Sequence, residues 1–133
     1  MNILIVDDKP SLARVTAVAL RTLGCQASTA TNTASASQLL ATQKFDAMFL
    51  DINLGGENGL DYLSQLVTQP DAPAVIMFTS YTKDEVAEEA RSRGAFDCLV
   101  KPFTLDDLRE QLSRLRDHRR PSASSSENSP LPP

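Results

Sequence analysis

Five polar side chains stand where apolar runs end. Asp7 and Asp8 follow Ile3-Leu4-Ile5-Val6, and Asp51 closes the run from Phe45 to Leu50. Thr79 follows Val75-Ile76-Met77-Phe78, and Lys101 follows the run from Ala95 to Val100. Adjacent carboxylates repel one another and are costly to bury unpaired, and a third makes the cluster worse. A hard divalent cation relieves it: magnesium takes oxygen ligands, retains waters and bridges to phosphate. A carboxylate held beside magnesium can attack a phosphoryl donor and become an aspartyl phosphate. The oxygens of the transferred group then need positive charge and donors, which the Lys101 ammonium and the Thr79 hydroxyl can supply.

Each of these residues alone is a weak signal. A double Asp after a strand is often a loop acid or a helix cap, a lone Thr is usually a turn residue, and Lys-Pro means almost nothing. Their joint occurrence on successive run ends carries the reading. No glycine-rich phosphate loop follows the first run. The one histidine, His118, lies beside arginines and reads as solvated surface. No Cys and His pair has metal-site spacing.

For these groups to meet, the runs must be parallel strands of one sheet. Open α/β sheets gather their chemistry in the crevice beyond the strand ends. Residues 2–6, 26–30, 45–50, 74–78 and 95–100 read as strands, the second weakly. Between them lie helical periods. Pro10 suits a first helical turn, and Leu12, Val15, Ala19, Leu20 and Leu23 recur at helical spacing before Gly24 stops the helix. Thr33 or Ser35 is expected to cap a second helix with Ala34, Leu39 and Leu40 on its apolar side. Gly55, Gly56 and Gly59 mark a turn or loop after Asp51, before Leu60, Leu63, Leu66 and Val67 resume a helical period. The segment 83–93 is polar, with only Val86, Ala87 and Ala90 to bury, and is expected to be loosely held. Thr104 should cap a last helix, with Asp106 and Asp107 in its first turn and Leu105, Leu108, Leu112 and Leu115 as its stripe. Regular alternation of strand and helix implies an α/β fold, a five-stranded doubly wound parallel sheet with right-handed crossovers.

At 133 residues the chain can bury one real core. A formal charge of -4 argues against a nucleic-acid surface on the globular part. Two cysteines, Cys25 and Cys98, are too few for a disulfide framework and read as buried thiols. No apolar run reaches membrane-spanning length and no signal-peptide pattern opens the chain, so the cytoplasm is the expected compartment. Residues 119–133, rich in Pro and Ser, read as a disordered tail or the start of a linker.

The acid pair, Asp51, Thr79 and Lys101-Pro102 at these spacings resemble the receiver domain of bacterial two-component response regulators, over residues 2–118. That resemblance implies the flavodoxin-like strand order 2-1-3-4-5. It implies Asp51 as phosphoacceptor, with Asp8 ligating magnesium (or manganese) directly and Asp7 chiefly through a metal-bound water. Asp51 itself and the backbone carbonyl of Asn53 would be further ligands. Thr79 would bond a phosphoryl oxygen and move inward, Lys101 would pair with Asp51 and then with the phosphoryl group, and Pro102 would be cis-bonded. The implied donor is a sensor histidine kinase or phosphotransfer protein. A self-catalysed dephosphorylation would use the same magnesium site, a homodimer is an open possibility, and no nucleic acid or membrane would be engaged through this domain. The tail suggests an output domain, expected to be transcriptional, that is missing here.

Two positions depart from the family pattern. Cys98 stands where a ring usually swings inward on activation, which puts the usual coupling of Thr79 to segment 83–93 in doubt; Phe96 or Tyr81 is the weaker candidate for a substitute ring. Gly55 stands where proline is common and should loosen the loop after Asp51. Tyr81 is also placed to overhang the pocket and slow hydrolytic water. Two other readings stand beside this one. A pseudo-receiver would keep the fold as a protein-interaction module and switch without phosphate, which Cys98 favours. A phosphohydrolase with an Asp nucleophile would want an acid two residues on, where Asn53 cannot serve.

Overall fold

A computed structural model describes residues 1–80 and 84–119. The described chain divides into two compact units, Met1–Phe103 and the segment that begins at Thr104.

In the first unit the elements alternate as the sequence requires: β1 Asn2–Val6, α1 Pro10–Thr22, β2 Gln26–Ala30, α2 Thr33–Thr42, β3 Ala47–Asp51, then the two-residue strands β4 Asn53–Leu54 and β5 Glu57–Asn58. After these come α3 Gly59–Leu66, β6 Ala74–Thr79, α4 Asp84–Ser92 and β7 Asp97–Val100. The main sheet has five strands in the order β2-β1-β3-β6-β7, all parallel. Counted within that sheet this is the order 2-1-3-4-5. The order reverses between β1 and β3, the place where such sheets open a crevice at their carboxyl ends. Register brings the ends level: Val6 pairs with Leu50 and Asp51 with Phe78. The short antiparallel pair β4–β5 was not foreseen; it folds the glycine segment back on itself.

Strands covered on both faces should be apolar without alternation, and they are. Leu4, Val6, Met48, Leu50 and Met77 join one core cluster with Ala36 of α2, Leu63 of α3 and Ala90 of α4. Their neighbours Ile3, Ile5, Phe49, Ile76 and Phe78 point to the opposite face and are as completely buried. Full burial of one such side chain contributes roughly 1.5–3 kcal/mol, so the sheet is the stable frame on which the loops at its edge are mounted.

Two helices of the first unit correct the expected faces. On α1 the buried residues are Ala13, Thr16, Ala17 and Leu20, while Leu12 and Val15 are exposed together with Val18. Ala13 and Ala17 are small enough for close approach, and Thr16 satisfies its hydroxyl by donating to the Leu12 carbonyl at 3.0 Å. The bulkier row is thereby turned outward. On α2 the cap is Asn32, whose side chain accepts from the Ser35 amide at 2.8 Å. Thr33 is the first helical residue, and Ala36 is buried where Ala34 was expected. Gly24, at φ +92, ends α1 as foreseen.

The second unit contains α5, Leu105–Arg119. Thr104 and Asp107 cap it reciprocally: the Thr104 hydroxyl accepts from the Asp107 amide at 3.1 Å, and the Asp107 carboxylate accepts from the Thr104 amide at 2.8 Å. Leu108, Leu112 and Leu115 are buried, whereas Leu105 is exposed. Residues 120–133, on which most of the tail reading rests, lie outside the described residues. No helix among the described residues is long and apolar enough to cross a membrane.

Candidate functional site

The carboxyl ends of β1, β3 and β7 deliver the groups the sequence singled out. Asp51 is the last residue of β3, and Asp7 follows β1. Both are almost wholly buried. Lys101, just past β7, places its Nζ 3.1 Å from Asp7 Oδ2 and 3.0 Å from Asp51 Oδ2. One ammonium therefore bridges two buried acids, a pairing with Asp7 that sequence reasoning did not include. The other oxygen of each acid accepts a backbone amide: Asp7 Oδ1 from Lys9 at 3.0 Å, Asp51 Oδ1 from Asn53 at 3.1 Å. Asp8 is more open, and the exposed Lys9 approaches it at 3.5 Å.

Asp7, Asp8 and Asp51 each offer an oxygen within 4.8 Å of the others. With all three ionised, the Lys101 charge leaves the cluster about two negative charges in excess, and the donors are hard oxygens. Both facts suit a divalent cation of the oxygen-loving class. Burial pushes the Asp51 carboxyl above its usual range; hydrogen bonds from Lys101 and the Asn53 amide and the Lys101 charge oppose the rise, and the Asp7 charge adds to it. Asp51 thus sits in a poor solvent for its own charge, a condition that a bound cation would reverse.

The surroundings fix these groups. The Lys101 amide donates to the Thr79 carbonyl at 2.7 Å, and Thr79 itself is buried at the end of β6. The Lys101–Pro102 bond is cis, as expected. The Lys101 ammonium lies over the Phe78 ring, 4.6 Å from its centroid. Gly59 opens α3 directly beneath the strand end: a Cβ there would stand 2.1 Å from the Asp51 carbonyl oxygen. The tip of the β4–β5 pair reaches Asp8, since a Cβ on Gly55 would be 3.9 Å from Asp8 Oδ2. Gly55 has φ +65, a conformation glycine adopts freely.

The sequence-selected Asp7, Asp8, Asp51 and Lys101 are therefore brought together, and Thr79 flanks them on the neighbouring strand end. Asn53 reaches Asp51 through its amide. Cys98 is half-buried on β7, in register with Met77 and packed against the core cluster, and burial raises its thiol pKa. Tyr81 lies outside the described residues. Two participants escaped sequence reading. Phe78 reads from the sequence only as strand, although it is an aromatic beside a strand-end hydroxyl. Glu57 accepts from the Thr33 hydroxyl at 2.6 Å and from the Thr33 amide at 3.1 Å, tying β5 to α2; no local pattern announces that contact.

Comparison with known families matches residues 3–113 to the response regulator receiver domain. Over 122 residues the chain is 38% identical to the alginate biosynthesis transcriptional regulatory protein AlgB of Pseudomonas putida, covering 92% of this chain and 27% of that protein. The chain therefore spans about a quarter of the length of that relative. Among solved structures, NtrX from Brucella abortus superposes with a TM-score of 0.82 at 31% identity, covering 88% of this chain and 27% of that one. The chemotaxis protein CheY4 of Vibrio cholerae superposes with a TM-score of 0.80 at 27% identity, covering 86% and 97%.

Proposed function

The chain belongs to the response regulator receiver domain family, and on that premise we propose that Asp51 is the acceptor of a phosphoryl group carried by a histidine of a sensor kinase or phosphotransfer protein. An Asp51 carboxylate oxygen attacks phosphorus, an O–P bond forms, and the P–N bond to the donor imidazole breaks. The departing nitrogen keeps the bonding pair. The observation that carries this is the ammonium of Lys101 held 3.0 and 3.1 Å from Asp51 and Asp7, with Asp8 alongside. Positioning and charge neutralisation supply most of the rate in such transfers.

Asp7, Asp8, Asp51 and the backbone carbonyl of Asn53 are the proposed holders of magnesium, which when bound would draw negative charge off the phosphoryl oxygens. Lys101 turns from Asp51 toward a phosphoryl oxygen, and the Thr79 hydroxyl donates to another. The shift of Thr79 biases the packing of α4 and β7, which carries the signal to an output region or partner. Cys98 leaves that route without the usual ring, so the α4 side of the sheet must respond through Thr79 and the backbone. The exposed row Leu12, Val15 and Val18 on α1, a helix that begins two residues after Asp8, offers the donor protein an apolar footing beside the pocket.

Incubation with radiolabelled acetyl phosphate and magnesium tests the reading. Label should appear on Asp51 and vanish in Asp51→Asn. Undiminished base-labile label in that variant would overturn the assignment.

A further inference from the structure

We propose that Phe78 is a positioning residue of the phosphotransfer site: the face of its ring holds the Lys101 ammonium in place while that cation changes partners. The inference rests on the phosphoacceptor reading of Asp51. Phe78 is in register with Asp51 across β3 and β6, so the two side chains rise from the same face of the sheet as neighbours. The ring is fully buried. Two other rings set its orientation: Phe103 meets it edge-on at 5.9 Å and 90°, and Phe49 lies tilted at 6.3 Å. Lys101 Nζ stands 4.6 Å from the centroid, within the range where the ring quadrupole attracts a cation.

The two kinds of contact to Lys101 differ in what happens to them. Its hydrogen bonds to Asp7 and Asp51 are directional and must be exchanged when a phosphoryl group arrives on Asp51. Attraction to the ring face needs no donor–acceptor alignment and involves no group that reacts. A lysine has a flexible stem and a strongly hydrated head. A cation that let go of two carboxylates without other support would be free to turn toward water, whereas the ring keeps it over the site through the exchange. An aliphatic side chain at position 78 would fill the space and offer no such attraction.

The test uses the whole chain with mono-, di- and trifluorinated phenylalanine incorporated at position 78, together with Phe78→Leu. Fluorination drains the ring face while barely changing its shape. Acetyl phosphate with magnesium is the donor, and the maximal rate of Asp51 labelling and the half-saturating donor concentration are read separately. Each variant's melting curve, and the ring-current displacement of the Lys101 ε-methylene proton signals, are recorded beside them. The maximal rate should fall stepwise with fluorine number, by roughly 2- to 10-fold across the series, at constant half-saturation and unchanged melting. The ε-methylene signals should lose their displacement in Phe78→Leu. Labelling of wild type on Asp51, with the fluorinated variants labelling at the same rate, would overturn the role of Phe78 alone. A wild-type chain that takes no phosphate on Asp51 would overturn both readings. Folded Phe78→Leu with an unaltered rate would likewise overturn the role of Phe78.

Discussion

Ion pairs hold both the acid pocket and the outer edge of the first unit, and the two sets differ in kind. In the pocket, the side chains of Lys101, Asp7 and Asp51 are 18%, 0% and 6% exposed. At the edge, Arg93 of the loop after α4 reaches Asp61 of α3 at 3.0 Å and Glu89 of α4 at 2.7 Å, with Asp61 69% exposed. Arg91 and Asp97 stand between these extremes, since Asp97 is nearly buried while Arg91 is half exposed. Water screens the outer pairs and leaves them worth little, whereas a buried pair has no solvent to fall back on when one member goes. The pocket concentrates its electrostatic cost around buried acids, and the edge ties α3 to α4 at little cost.

Removing one member from each set exposes that contrast. The largest effect belongs to Asp51→Asn, which should lower phosphoryl uptake by at least about a hundredfold, measured with labelled donor and magnesium. Lys101→Met comes next. It leaves Asp7 and Asp51 facing one another uncompensated and should cost about 3–5 kcal/mol in metal-free urea unfolding, with part of the loss recovered on adding magnesium. A loss equal with and without the ion would break the comparison, because the deficit would then be packing and not charge. The pH response of the metal-free chain sharpens it further. The folded Asp51 pKa is raised, chiefly by burial, so folding takes up a proton in the window between the ordinary carboxylate value and the raised one. Stability should fall as pH rises through that window, and the slope should flatten in Asp51→Asn. Arg91→Met leaves Asp97, which also accepts the Cys98 amide at 2.8 Å, and should cost about 1–2 kcal/mol. Arg93→Ala should have the smallest effect on unfolding and lose even that in high salt.

The fold was legible because its signals are local and redundant. Apolar runs ending on Asp7, Asp51, Thr79 and Lys101 announce parallel strands, and Gly24, Thr104 and Pro10 punctuate the helices where the structure does. Faces were read less well where bulk misled. On α1 the larger Leu12 and Val15 drew the pattern, but Ala13 and Ala17 permit the closer approach. Asn32, Thr33 and Ser35 have equal credentials as a cap in the sequence, and only the backbone decides which one precedes the first turn. The site residues were legible as types and their partners were not. That Lys101 serves Asp7 as well as Asp51, that Phe78 lies under it, and that Glu57 reaches Thr33 all depend on contacts between residues distant in sequence. The β4–β5 pair, of two residues each, is too short to leave a period.

Gly59 sets a limit on how this molecule can be altered. Any side chain there would have to pass through the carbonyl group of Asp51. The backbone at Asp51 and the first turn of α3 thus share one small volume. A library randomised at position 59 and sorted for folded, label-accepting chains should return a single amino acid. The neighbouring codons 55 and 56 should show how differently a loop behaves: position 56 has open space around it and should accept many residues, and position 55 should favour those that tolerate its left-handed backbone.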